Sequence, residues 1–217
     1  FALSLGSFVV VYGFRLRVPA TPTGEAVWPA VLINLALFSA FALHHSIMAR
    51  AGAKAWITRL VPADLERSLY VWIASLMFLA VCWFWQPLPG VAWNIGAPVS
   101  WLMFGIQLSG VVITERAARF IGVWELAGVR PARRDQAVEF TTSGPFGLVR
   151  HPIYLGWILI VFGAPAMTDS RLLFAVVSTA YLIVAIPWEE ASLVDAFGEK
   201  YRAYQREVRS RLIPGIW

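Results

Sequence analysis

The sequence predicts an all-α, polytopic membrane bundle of about six helices, the last two a hairpin, with a cytoplasmic C-terminal amphipathic segment. Three observations carry that expectation. Of 217 residues, 59% are hydrophobic and only 14% charged, whereas a soluble domain carries about 25% charged residues to face water. With a mean hydropathy of +0.65, lipid is the solvent such a surface matches. Eleven Trp residues suit the aromatic belts of a bilayer interface, and the apolar residues fall in successive long runs.

The first run, 1–14, is short against the roughly 20 apolar residues of a span. No small-residue cleavage pattern follows it, so it reads as a truncated first helix rather than a signal-peptide core. Runs 28–48, 70–85 and 98–114 supply the second to fourth helices. Runs 153–166 and 172–187 are joined by the polar turn Thr168-Asp169-Ser170-Arg171, too small for a domain, so they form the hairpin. Gly156, Gly163 and Pro165 make the fifth run short, either tilted or stopping within the hydrocarbon layer. There is no internal repeat. The chain reads as one membrane domain, 1–217, with a four-helix part over 1–114 and a loop, hairpin and tail over 115–217.

With six spans, the connections 49–69 and 115–152 and the tail 188–217 share one face and carry four, six and five of the 18 Lys and Arg residues. The other face keeps Arg15, Arg17 and Arg171. The positive-inside bias makes the basic face cytoplasmic and the location the cell inner membrane. The net charge of +5 sits beside hydrophobic segments, so anionic membrane lipid, not nucleic acid, is the expected partner. Cys82 alone, in an apolar run, supports neither a disulfide framework nor a cysteine metal site. From 189 to 209 the tail reads as one amphipathic helix, with Leu193, Phe197, Tyr201, Tyr204 and Val208 recurring every three or four residues. It either lies on the bilayer or folds over the bundle, and Gly198 weakens it.

Ionisable groups at the ends of membrane helices are functional candidates by default. Arg150-His151-Pro152-Ile153-Tyr154-Leu155-Gly156 opens the fifth run, and Pro152 suits a first helical turn. Arg150 and His151 therefore sit at the lip, and Gly156 leaves room for a close neighbour. Trp188-Glu189-Glu190 closes the sixth run, and a hairpin returns both clusters to one face. On the plainer reading Arg150 reaches headgroups, His151 caps a helix and a glutamate pairs with Arg150. On the functional one, an Arg–His edge opposite paired carboxylates is a site. His44 and His45 point about 100° apart on a helix and do not share a metal; no metal site is expected.

The stretch Arg150-His151-Pro152-x-Tyr154-x-Gly156, with Glu189-Glu190-x-x-Leu193, Phe197-Gly198-x-x-Tyr201-x-x-Tyr204 and Arg211-x-Ile213-Pro214, resembles the isoprenylcysteine carboxyl methyltransferase superfamily of membrane enzymes. His45-Ser46-x-Met48-Ala49-Arg50, Trp56, Pro62, Glu66-Arg67-Ser68-x-Tyr70, Leu126-x-Gly128-x-Arg130 and Leu172-Leu173-Phe174-Ala175 are similar to its branch of methanethiol S-methyltransferases and NnrU-type proteins. The resemblance covers nearly the whole chain after residue 40. It implies S-adenosylmethionine as cofactor, held by the hairpin and tail through Arg150, His151, Tyr154, Gly156, Glu189, Glu190, Tyr201, Tyr204 and Arg211. An Arg or His would take the cofactor carboxylate, a Glu its amino group, and tyrosines its adenine or ribose. The glycine-rich loop after a strand used by soluble methyltransferases is missing; Gly144-Pro145-Phe146-Gly147 is a turn.

The implied reaction is in-line methyl transfer to a small-molecule or lipophilic acceptor, with His151, Arg150, Glu190 and His45 as the expected catalytic residues. If the acceptor is a thiol such as methanethiol, it attacks as thiolate, and His45, His151 or a glutamate takes the proton. A carboxylate, amine or lipid headgroup is the alternative acceptor. A non-catalytic NnrU-like factor in nitrogen-oxide metabolism is the alternative of another class. The tail carries one extra residue between Val208 and Pro214, which leaves Arg209 or Arg211 for the family's basic position. Trp188 stands where a smaller aliphatic is expected, altering the mouth of an acceptor pocket.

Overall fold

A chain with few polar side chains must satisfy its backbone N–H and C=O groups internally, and helices do so within one segment. The computed structural model describes residues 1–22, 24–129 and 144–217. Its helices are α1 (Ala2–Val10), α2 (Trp28–Met48), α3 (Ala51–Ile57), α4 (Ala63–Phe84), α5 (Val99–Ile121), α6 (Val123–Leu126), α7 (Pro145–Leu148), α8 (Pro152–Phe162), α9 (Asp169–Phe197) and α10 (Glu199–Glu207). A π-helical turn, Val11–Arg15, extends α1. Among the described residues, three helical stretches are long and apolar enough to cross a membrane: α2, Leu65–Phe84 of α4, and α9. Ala2–Arg15 and α8 are apolar but shorter. Arg130, Arg133 and Arg134, assigned above to the basic connection, lie outside the described residues.

The fold departs from the expected all-α chain by a two-stranded antiparallel sheet. Strand β1 (Val91–Asn94) pairs with β2 (Ala166–Thr168), Val91 opposite Thr168 and Asn94 opposite Ala166. The segment 168–171 is therefore no exposed polar turn: it ends a strand and opens α9, and Thr168, Ser170 and Arg171 are buried. Each polar group finds backbone instead of water. Thr168 Oγ1 donates to the Leu16 carbonyl at 2.5 Å, and Ser170 Oγ accepts from the Leu88 amide at 2.6 Å. The Arg171 guanidinium donates to the carbonyls of Tyr12, Gly13 and Ala166 at 2.8, 2.8 and 2.5 Å. Helix ends leave carbonyls unpaired, so Arg171 serves as a cap for the π-helical turn rather than as one of the exposed basic residues.

By contact density the described chain falls into two compact units. The first holds Phe1–Ser100, the described residues of Trp124–Ala132, and Pro165–Ser178. Its centre is aromatic: Phe174 has ring centroids 5.1–6.0 Å from Trp85, Tyr12, Phe8 and Phe38. Asn34, fully buried, clamps the end of α4 by exchanging hydrogen bonds with the Gln86 backbone at 2.7 and 2.9 Å.

The second unit holds Trp101–Val123, the described residues of Arg133–Ala164, and Thr179–Trp217. Here α5 runs on to Ile121, seven residues past the expected run. It meets α8 through glycines, as close-packed membrane helices do. A Cβ on Gly156 would sit 2.6 Å from the Gly110 carbonyl oxygen and against Thr114 Oγ1. Gln107 of α5 adds a hydrogen bond to the Ile160 carbonyl at 2.8 Å. Helix α9 continues through Pro187 to Phe197. The single amphipathic helix expected over 189–209 is instead two helices, broken at Gly198, whose φ of +57° suits a residue without Cβ. Leu193, Val194 and Phe197 pack against Tyr201, Tyr204 and Val208 across that bend. The regular apolar spacing marks a folded-back pair.

Gly156→Val should overpack the α5–α8 crossing, because beside Thr114 Oγ1 it meets the Gly110 backbone carbonyl, which cannot rotate away. The expected loss is roughly 1–3 kcal/mol, read as a lower melting temperature in detergent. Gly6→Ala, where nothing lies within 4 Å, should not lower it.

Candidate active site

Two backbone hydrogen bonds bring the tail to the start of α8: the amides of Arg150 and His151 donate to the carbonyls of Ser210 and Arg211, both at 2.9 Å. Pro152 occupies the first turn, where its missing N–H leaves nothing unpaired. Held there, Arg150 points inward. Its Nε donates to Glu190 Oε1 at 2.6 Å and its Nη1 to the carbonyls of Val208 and Arg209 at 2.7 and 2.8 Å. The Arg150 and Glu190 side chains are 6% and 5% exposed, a buried ion pair of the kind that persists only when both charges are fully hydrogen-bonded.

Glu190 is surrounded by donors. His151 Nε2 lies 3.3 Å from Oε1, and Oε2 receives Arg211 Nε at 3.2 Å and Gln205 Nε2 at 3.4 Å. The entry to α8, helix α10 and the tail thus converge on one carboxylate. Of the two tail arginines, Arg211 reaches Glu190 with its side chain, while Arg209 offers a carbonyl. Arg211 also lies 5.8 Å over the Trp217 ring.

Glu189, one residue earlier on α9, points elsewhere. Its Oε2 accepts from the Tyr154 hydroxyl at 2.6 Å and sits 3.6 Å from His151 Nδ1, and its side chain is 44% exposed. His151 stacks on Tyr154 with ring centroids 5.3 Å apart. The adjacent acids therefore have different surroundings, one sealed and one open.

Arg150, His151, Tyr154, Glu189, Glu190 and Arg211 come together in this cluster. Tyr201 and Tyr204 are buried in the bend behind it. Tyr204 donates to the Phe146 carbonyl of α7 at 2.8 Å, and burial pushes its hydroxyl up to about 12 and that of Tyr201 higher still. Both stay protonated at neutral pH and hold α10 in place. The close neighbour of Gly156 is α5. His45 belongs to the other unit, where its Nδ1 is 2.9 Å from the Tyr70 hydroxyl. Gln205 and the tail carbonyls were missed by sequence reasoning. Gln205 lies beside the motif residue Tyr204, but backbone acceptors leave no residue-type signal.

Ionisable side chains gathered at the ends of apolar helices are the arrangement expected of a functional site in a membrane protein. Residues 100–200 match the phospholipid methyltransferase family, a stretch that contains Arg150, His151, Tyr154 and both glutamates. Over 98% of its length the chain is 36% identical to Methanethiol S-methyltransferase 2 of Bradyrhizobium diazoefficiens, covering 82% of that protein. It is 40% identical over 89% of its length to Methanethiol S-methyltransferase 1 of the same organism, covering 70% of it. To Methanethiol S-methyltransferase of Mycobacterium tuberculosis it is 38% identical over 95%, covering 91%. The chain belongs to the methanethiol S-methyltransferase family, as its motifs led one to expect, and is a methyltransferase. No solved structure matches it.

Arg150→Ala removes the buried ion partner of Glu190 and releases two tail carbonyls, an expected loss of up to about 3–5 kcal/mol. Limited proteolysis should then cut beyond residue 207 faster than in the unaltered protein. Arg209→Ala, which keeps the carbonyl and removes only an exposed side chain, should leave that protection intact.

Proposed function

We propose that this enzyme transfers the methyl group of S-adenosylmethionine to a small thiol, methanethiol being the acceptor for which its relatives are named. The observation that carries the reading is identity of 36–40% to those relatives along nearly the whole chain. The basic connections further support an inner-membrane enzyme whose site faces the cytoplasm.

The residues fit the donor by charge. Its amino-acid end is a zwitterion and needs both signs within a small patch. Arg211, 36% exposed, would hold the carboxylate, and Glu190 beside it keeps the same patch attractive to the ammonium. Arg150 and Glu190 are engaged with each other and with the tail, so they frame the site rather than reach into it. When bound, the donor supplies an electrophilic sulfonium methyl group. The chain's own contribution is orientation and dryness: holding donor and acceptor in line is worth up to roughly 7–11 kcal/mol. The tail, strapped across the entry to α8, keeps water from the charges beneath it.

Calorimetric titration of the detergent-purified protein should give saturable binding of S-adenosylmethionine, and labelled donor should pass its methyl group to methanethiol. Absence of binding at millimolar donor would remove the proposal. Transfer to a carboxylate, amine or phospholipid headgroup but not to a thiol would move it to another acceptor class.

A further inference from the structure

A thiol is a poor nucleophile until it loses its proton, and several groups in the cluster are candidates to receive it. Glu190 is unsuited: its oxygens receive Arg150, His151, Arg211 and Gln205, and its side chain is sealed from solvent. A proton placed there would break the ion pair that holds the tail and would have no outlet. His151 has Nε2 turned to Glu190 and Nδ1 turned to Glu189. With a carboxylate beside each nitrogen, neither ring nitrogen is turned toward a thiol acceptor.

Glu189 differs on each count. It is half-open to solvent, and one of its oxygens holds the Tyr154 hydroxyl at 2.6 Å. A phenol that donates its proton to a carboxylate still has lone pairs with which to accept another. The Tyr154 ring is fixed by stacking on His151. The charged and titratable groups around the pair are His151 from the entry to α8, Glu190 on α9, Tyr201 on α10, and Arg211 beyond Glu190 on the tail.

We propose that Tyr154 and Glu189 take the proton from the thiol acceptor. Tyr154 is the catalytic residue, and Glu189, acting through it, positions the hydroxyl and keeps the proton. The thiol S–H bond breaks as its proton passes to the Tyr154 oxygen, whose own proton moves to Glu189. The freed sulfur pair forms the new S–CH3 bond, the donor's S–CH3 bond breaks, and that electron pair returns to the donor sulfur. Glu189 then releases its proton to water from its exposed side.

The inference rests on the thiol reading, and the experiment separates the two. Methyl transfer to methanethiol is followed against pH for the unaltered enzyme, Tyr154→Phe, Glu189→Gln and Glu189→Asp. In parallel, affinity for S-adenosylhomocysteine is measured by calorimetry. The two isosteric variants should lose about a hundredfold or more in kcat while affinity changes less than about twofold. Their rates should climb about tenfold per pH unit below the thiol pKa, where solvent alone supplies thiolate; the unaltered enzyme should show a flatter profile. Thiophenol, already largely ionised at neutral pH, should recover most of the loss, and Glu189→Asp should restore part of it. Variants with an unchanged pH profile, or variants that lose S-adenosylhomocysteine binding instead, overturn the inference. An unaltered enzyme that binds donor but methylates no thiol overturns the reading beneath it.

Discussion

The second unit depends on a single buried charge pair, Arg150 with Glu190. Desolvating two ions costs several kcal/mol each, and their attraction offsets that only when every remaining donor and acceptor is also matched. Here the match is made by the chain's own backbone. Two tail carbonyls complete Arg150, and Gln205, His151 and Arg211 complete Glu190. The consequence is geometric: the pair is stable only while α8, α9, α10 and the tail are all in place. An ion pair that would be weak evidence for stability alone here sets the positions of four segments.

The same device recurs in the first unit with no acid at all. Arg171 is buried, yet its guanidinium is met by three carbonyls and lies 5.1 Å over the Tyr12 ring. Arg15 likewise donates to the carbonyls of Trp83 and Trp85 at 2.8 and 2.6 Å. In a chain only 14% charged, arginine is well suited to this work. Its planar fork offers five donors in fixed directions and is never deprotonated, so one side chain can close several helix-end carbonyls that water cannot reach.

This use of arginine explains which features were legible in the sequence. The apolar runs were, because hydropathy decides whether a segment can be a lipid-facing helix. The Arg-His-Pro and Glu-Glu clusters were, because ionisable residues at helix ends are rare enough to stand out. Arg171 was misread, since a polar tetrapeptide between apolar runs looks like a solvent-facing turn unless its carbonyl partners, some 158 residues away in sequence, are known. The β1–β2 pairing, the continuation of α9 through Pro187 and the tail contacts share that cause. Each is made with backbone atoms, which carry no residue identity. Gly198 was the exception: a glycine interrupting an amphipathic period signalled weakness, and the chain turns there.

Two adjacent glutamates look redundant in sequence, yet a helix directs neighbouring side chains about 100° apart. One turns into the arginine and the tail; the other turns toward Tyr154 and solvent. That divergence lets neighbouring carboxylates do incompatible work. A carboxylate locked in a buried ion pair must stay ionised to hold the fold, so it cannot cycle through a protonated state. A carboxylate half in water with a phenol on one oxygen can cycle without disturbing the packing behind it. The separation of structural and exchangeable charge across one peptide bond is therefore the condition under which a sparsely charged membrane protein can hold together and still move a proton.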